Sequence, residues 1–150
     1  MFTFPLLLYL CLSPILEFPA HEVPMATFTY QLGKEEVHLD MHFDREDLLK
    51  VVGSENPKAI ETYILAHSSS SISGVPLHWQ WVSIQHRADH INILAIAAQP
   101  VDPNGKIRIK NTCLIREIGG HSNLIFVETD SQRRGFRLNK NRTEVSLTMQ

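Results

Sequence analysis

Eight histidines, two cysteines and a run of serines are the residues with which this 150-residue chain could do chemistry. His21 would become the first residue if the chain were cut after Ala20, and a free α-amine beside an imidazole can chelate copper. Such a site needs a second His or a carboxylate close in space. His38, Asp40 and His42 have the composition of a metal cluster, but they alternate with Val37, Leu39, Met41 and Phe43, the period of a half-buried strand. Same-face neighbours on a strand lie roughly 6.6 Å apart, which places the two imidazoles roughly 13 Å from each other. They cannot share one ion without a partner strand, so a polar, solvated face is expected.

Nucleophilic chemistry has less to work with. Ser68 to Ser71 lacks the Gly-x-Ser-x-Gly turn that presents a nucleophilic serine, and the chain has no phosphate-binding glycine loop or paired zinc cysteines. A hydrolase with an unrecognised site remains as the catalytic alternative. Cys113 lies in an apolar stretch and is expected to be a small buried hydrophobe. Cleavage after Ala20 would remove Cys11, leaving one thiol and a domain that stands on its hydrophobic core rather than on a disulfide. Cys11 is a poor lipid-anchor cysteine, because Tyr9 and Leu10 occupy places that need small residues. Trp79 and Trp81 share one face of a strand, with Val82 and Ile84 on the other. An exposed Trp pair would suit sugar or peptide binding; burial beneath helices is the favoured expectation.

The elements that must position these residues are mostly strands. Val23 to Leu32, rich in Thr, Phe and Tyr, reads as a first strand, Gly33-Lys34-Glu35 as a turn, and Val37 to Phe43 as its hairpin partner. The period then changes to that of two short helices. Asp44 caps the first and Gly53 ends it, and Pro57 opens the second, which carries Ala59, Ile60, Tyr63, Ile64 and His67 on one stripe. Ser68 to Ser71 reads as a loop. From Ile72 onward the pattern is strand: Trp79 to His86, Ile91 to Ala98, Lys106 to Glu117, Asn123 to Thr129, Gly135 to Asn139 and Thr143 to Met149. Asp102-Pro103-Asn104-Gly105 is a strong turn. The expected fold is mainly β, an antiparallel β-sandwich or open barrel with two short helices inserted after the first hairpin.

Residues 1–20 stand apart. Their only charge is Glu17, and Leu6 to Leu12 is an apolar run too short to cross a bilayer comfortably but matched to a secretory signal. The expected organisation is a signal segment over 1–20 and a single β-rich domain over 21–150, placed in the periplasm or cell envelope with no transmembrane span in the mature chain. The competing reading makes the first segment a buried strand or helix. Composition, at 43% hydrophobic and 20% charged, is that of a chain able to bury a core, and a net charge of -2 supplies no general field for nucleic acid. Arg133, Arg134, Arg137, Lys140 and Arg142 are expected to form a solvated edge where two strands and a turn meet. Asn141-Arg142-Thr143 matches a glycosylation triplet that matters only in a eukaryotic secretory route.

Several segments in order carry a resemblance: the export segment ending before His21, the first hairpin with Asp44 to Leu49 after it, Ser73-Gly74-Val75-Pro76, Asn111-Thr112-Cys113-Leu114 before Glu117, and Asn123-Leu124-Ile125. Together they resemble the exported bacterial family called domain of unknown function 6702 across almost the whole mature chain. Departures are His21-Glu22-Val23, where the family would have His-Pro and an aromatic, and His121, where it would have a more amide-like residue. The resemblance implies a compartment and a β-rich fold, and transfers no catalytic residue. The expectation for function is thus a non-catalytic envelope module that binds an envelope protein or ligand, with a copper-binding protein using His21 and a hydrolase as alternatives.

Overall fold

The computed structural model describes residues 23–102 and 104–148. Among these residues ten strands form two sheets: β1 (Met25–Leu32), β2 (Val37–Asp44), β5 (Gln80–His86), β6 (His90–Ala97), β8 (Ser122–Glu128) and β9 (Arg133–Leu138) in one, and β3 (Ser68–Ile72), β4 (Val75–Pro76), β7 (Lys106–Asn111) and β10 (Glu144–Thr148) in the other. The orders are β5-β6-β2-β1-β8-β9 and β10-β7-β3-β4, so neither sheet closes on itself and the expected sandwich is the architecture found. Every pairing is antiparallel except β1 with β8, which run parallel with Phe28 opposite Ile125.

Alternation builds the interior. Phe28 and Tyr30 on β1, Leu39, Met41 and Phe43 on β2, Ile91 and Ile93 on β6, and Ile107 and Ile109 on β7 are all fully buried, while their chain neighbours face outward. Phe28 and Phe43 meet edge to face with ring centroids 5.3 Å apart, a geometry worth about 1 kcal/mol beyond the area buried. Two helices, α1 (Arg45–Val52) and α2 (Pro57–His67), follow the first hairpin. Asp44 accepts the Asp47 N–H at 2.9 Å, Gly53 closes α1 in the left-handed conformation at φ 72°, and Asn56 accepts the Lys58 N–H at 2.8 Å ahead of Pro57.

Three sequence expectations are corrected. Ser68 to Ser71 is strand β3 rather than a loop: it leaves α2 without a connecting turn and lies along β7 with Ser70 opposite Ile109. Serines carry little strand preference of their own, and tertiary pairing overrides it. The strand expected over Lys106 to Glu117 stops at Asn111, whose side chain accepts the Cys113 N–H at 3.0 Å and turns the chain. Finally, β5 carries an irregularity between Trp81 and Ser83 that shifts its register on β6. The extra residue leaves Val82 54% exposed and brings Trp81 and Ile84 to the same, core-packed face.

The turn after β7 closes one end of the sandwich through a buried amide network. Asn111 is 0% exposed and its Oδ1 accepts from Cys113 N–H and, at 2.8 Å, from Asn123 Nδ2 on β8. Asn123 Nδ2 also donates to the Cys113 carbonyl at 3.0 Å, and its Oδ1 accepts from His121 Nε2 at 3.0 Å. Leu114, at φ 61°, is held by its N–H donating to the Tyr63 hydroxyl at 2.9 Å and by a fully buried side chain. Helix α2 is thereby tied to the same end.

Replacing Asn123 by Ala removes three hydrogen bonds and leaves buried groups without partners, so Asn123→Ala is expected to cost about 3 kcal/mol, against less than about 0.5 kcal/mol for Asn141→Ala on the exposed turn. Urea unfolding of the two variants checks the difference.

Because Nε2 of His121 is a donor, protonation would add an N–H at Nδ1, a buried atom with no partner among the described residues. Burial holds the His121 pKa below its ordinary value, against the pull of the Asn123 hydrogen bond. The folded chain therefore resists a proton that the unfolded chain accepts. Stability is complete above about pH 6.5, the unfolded value, and falls as the pH drops below it toward the depressed folded value. The urea midpoint should fall between neutral and mildly acidic pH, and His121→Gln, which keeps an N–H for Asn123, should fall less.

Candidate functional site

The opposite end of the sandwich is open. Leu32 ends β1, Ile72 ends β3, Ile107 lies near the start of β7, and Val101 lies in the connection from β6 to β7. These four apolar side chains line a cleft of about 440 Å³ between the two sheets. Lys34, Asp102, Thr129, Asp130 and Ser131 contribute the polar part of its wall. Its size falls within the range of small-molecule sites, and an apolar cleft with a few polar groups has their character.

Backbone hydrogen bonds hold the loops that frame it. Val101 N–H donates to the Lys34 carbonyl at 3.1 Å, joining the β6–β7 connection to the first hairpin, and Ser73 N–H donates to the Lys106 carbonyl at 2.9 Å. Thr129 N–H donates to Gln132 C=O at 2.9 Å across the β8–β9 turn. Glycine is needed at position 105, where a Cβ would lie 2.7 Å from Ser73 Oγ and 2.9 Å from the Asp102 carbonyl oxygen. The mouth is thus a set of fastened turns.

The residues singled out from sequence lie elsewhere. His21 is outside the described residues. His38 turns to Glu36, with Nε2 2.6 Å from Oε1, and His42 stacks on His90 at 4.6 Å between centroids. His90 in turn lies 2.5 Å from Asp89, whose carboxyl that contact holds below its ordinary pKa. Among the described residues, no three His, Cys, Asp or Glu side chains gather as metal ligands would. Trp79 and Trp81 are half-buried against the core, Trp79 beside Tyr30 at 6.0 Å and Trp81 opposite Ala95, whose small side chain leaves room for an indole.

Cys113 is fully buried, and burial pushes its thiol well above the usual range, with Glu117 adding to the rise. A thiol so protonated is a poor nucleophile. His67 donates from Nδ1 to the Tyr63 carbonyl at 2.9 Å, stacks on the Tyr63 ring and lies 3.5 Å from Glu117. Burial also raises the Tyr63 hydroxyl, which is occupied by Leu114 N–H. This cluster anchors α2 to the β7–β8 turn.

Sequence reasoning missed the cleft, since its wall draws on separate stretches of chain. The available signal was the pair of turns at Gly33 and Gly105 flanked by Leu32, Val101 and Ile107. Fold and site together define a two-sheet sandwich with an apolar cleft between the sheet ends. No family model matches the sequence, and no curated protein matches it.

In a Cys11→Ser background, a thiol reagent is expected to modify native Cys113 about a hundred-fold more slowly than the unfolded chain, since access requires opening of the core. Absorbance of the released chromophore, with and without denaturant, measures the ratio.

Proposed function

We propose that the protein is a non-catalytic binding module of the cell envelope, exported by its N-terminal apolar segment, and that its ligand enters the open end of the sandwich. The cleft carries this reading. It offers about 440 Å³ bounded by Leu32, Ile72, Val101 and Ile107. A natural occupant is a small molecule or side chain with an apolar body, oriented by Lys34 and by the Asp102 and Asp130 carboxylates at the mouth. The apolar run Leu6 to Leu12 within residues 1–20 and the resemblance to an exported family support the compartment. Among the described residues no helix is long and apolar enough to cross a membrane.

A neutral fluorescent naphthylamine titrated against the full chain tests the site. Saturable, blue-shifted emission is expected, weakened by at least about ten-fold in Val101→Trp, whose indole fills the cleft. Thr129→Trp, on another part of the wall, should act likewise. Unchanged binding in both folded variants would remove the cleft from the reading.

A further inference from the structure

Nine of the 14 basic residues lie from Lys106 onward, against four of the 16 acidic ones. The fold gathers most of this excess on and beside the outer face of the four-stranded sheet. Lys106, Arg108 and Lys110 alternate along β7 and point away from the core, with Ile107 and Ile109 buried between them. Successive cations there stand roughly 6.6 Å apart, closer than the roughly 8 Å over which physiological salt screens a charge.

Their neighbours across the ladder are short and hydroxyl-bearing apart from Glu144. Lys110 lies between Ser69 and Glu144, Arg108 between Ser71 and Ser146, and Lys106 beside Thr148. A second group of cations lies at the flank of this sheet, between β10 and β9. Arg134 reaches across from β9 to donate to the Thr148 carbonyl at 3.3 Å, and Arg142 covers Phe136 at 5.9 Å. Glu144 is the one carboxylate within this set, and it is held by Arg108 through bonds of 2.7 and 3.0 Å. Among the described residues Lys106, Lys110, Arg134 and Arg142 are exposed and make no ion pair. A shallow cup of about 360 Å³ lined by Ser69, Ser71, Arg108, Lys110 and the Arg108-paired Glu144 adds hydroxyl donors to the ammonium and guanidinium groups.

We infer that this face docks on an anionic lipid bilayer, its ammonium and guanidinium groups and serine hydroxyls meeting the phosphates of the headgroups. A bilayer surface presents many phosphates in two dimensions, and so does this array present cations. The cations occupy a strand face and its flank rather than a groove that would track a polymer, and none of the aromatic residues described on it stands exposed as a base-stacking platform. The net charge of -2 makes the attraction local, so contact orients the molecule with the four-stranded sheet toward the lipid. This inference is independent of the cleft.

Sedimentation of the full chain with phosphatidylcholine vesicles, with and without phosphatidylglycerol, tests it. The quantity read is the excess binding to the anionic vesicles, which separates this face from any affinity of the N-terminal apolar segment for lipid as such. The excess should decline as ionic strength rises, and should drop about five-fold for each cation neutralised in Lys110→Gln and then in the combined Lys106→Gln, Lys110→Gln and Arg134→Gln chain. Lys50→Gln with Lys58→Gln, on the exposed helices, should leave it unchanged. Far-ultraviolet circular dichroism confirms that each variant is folded. No excess for the wild-type chain, equal excess in the triple variant, or capture by soluble polyphosphate without vesicle binding would overturn the inference.

Discussion

Two asparagine side chains hold the sandwich shut at one end. Asn111 belongs to the four-stranded sheet and Asn123 to the six-stranded one, and the bond between them at 2.8 Å crosses the interior. Around it the Cys113 N–H, the Cys113 carbonyl and His121 Nε2 all find partners. Among the described residues Asn111 Nδ2 and His121 Nδ1 are buried without a partner, so the bonds that are made must offset that cost, because an unpaired polar group in a low-dielectric core is expensive. Those bonds fix the turn after β7, and hydrogen bonds from Leu114 and Thr112 to Tyr63 and His67 fix where α2 sits, with Leu114 in the left-handed backbone.

A latch at one end has a counterpart at the other. The strands that carry Asn111 and Asn123 reach, at the far side of the molecule, loops joined by main-chain hydrogen bonds. The apolar cleft lies there. One end thus serves cohesion, and the opposite end, with apolar walls and polar groups at its mouth, has the character of a binding site. The side chains with the most chemical promise, Cys113, Tyr63, His67 and His121, are absorbed by the cohesive end.

The edge strands of the sandwich carry features that oppose pairing with other chains. Strand β4 has only two residues, one of them Pro76, and β5 is interrupted at Val82. On the remaining side Arg134 bridges β9 to β10. Short, bulged and charged edges are the usual devices against edge-to-edge association.

Local pattern determined a great deal: the alternation of Val37 to Phe43, the Asp44 and Gly53 ends of α1, Pro57 at the start of α2, and the burial of Cys113 follow from periods and caps that act over a few residues. What sequence could not settle were the decisions that depend on partners far along the chain. The serines of β3 become a strand because β7 lies beside them, and the faces of Trp81 and Ile84 depend on one extra residue in the pairing with β6. Asn111 and Asn123 were visible as residues of short motifs, yet their contact requires the parallel pairing of β1 with β8, which no local period encodes. The cleft and the cationic face are likewise products of tertiary structure. Their residues come from strand ends and turns that share no common spacing, and the free energy that brings them together is the burial of the apolar faces between the sheets.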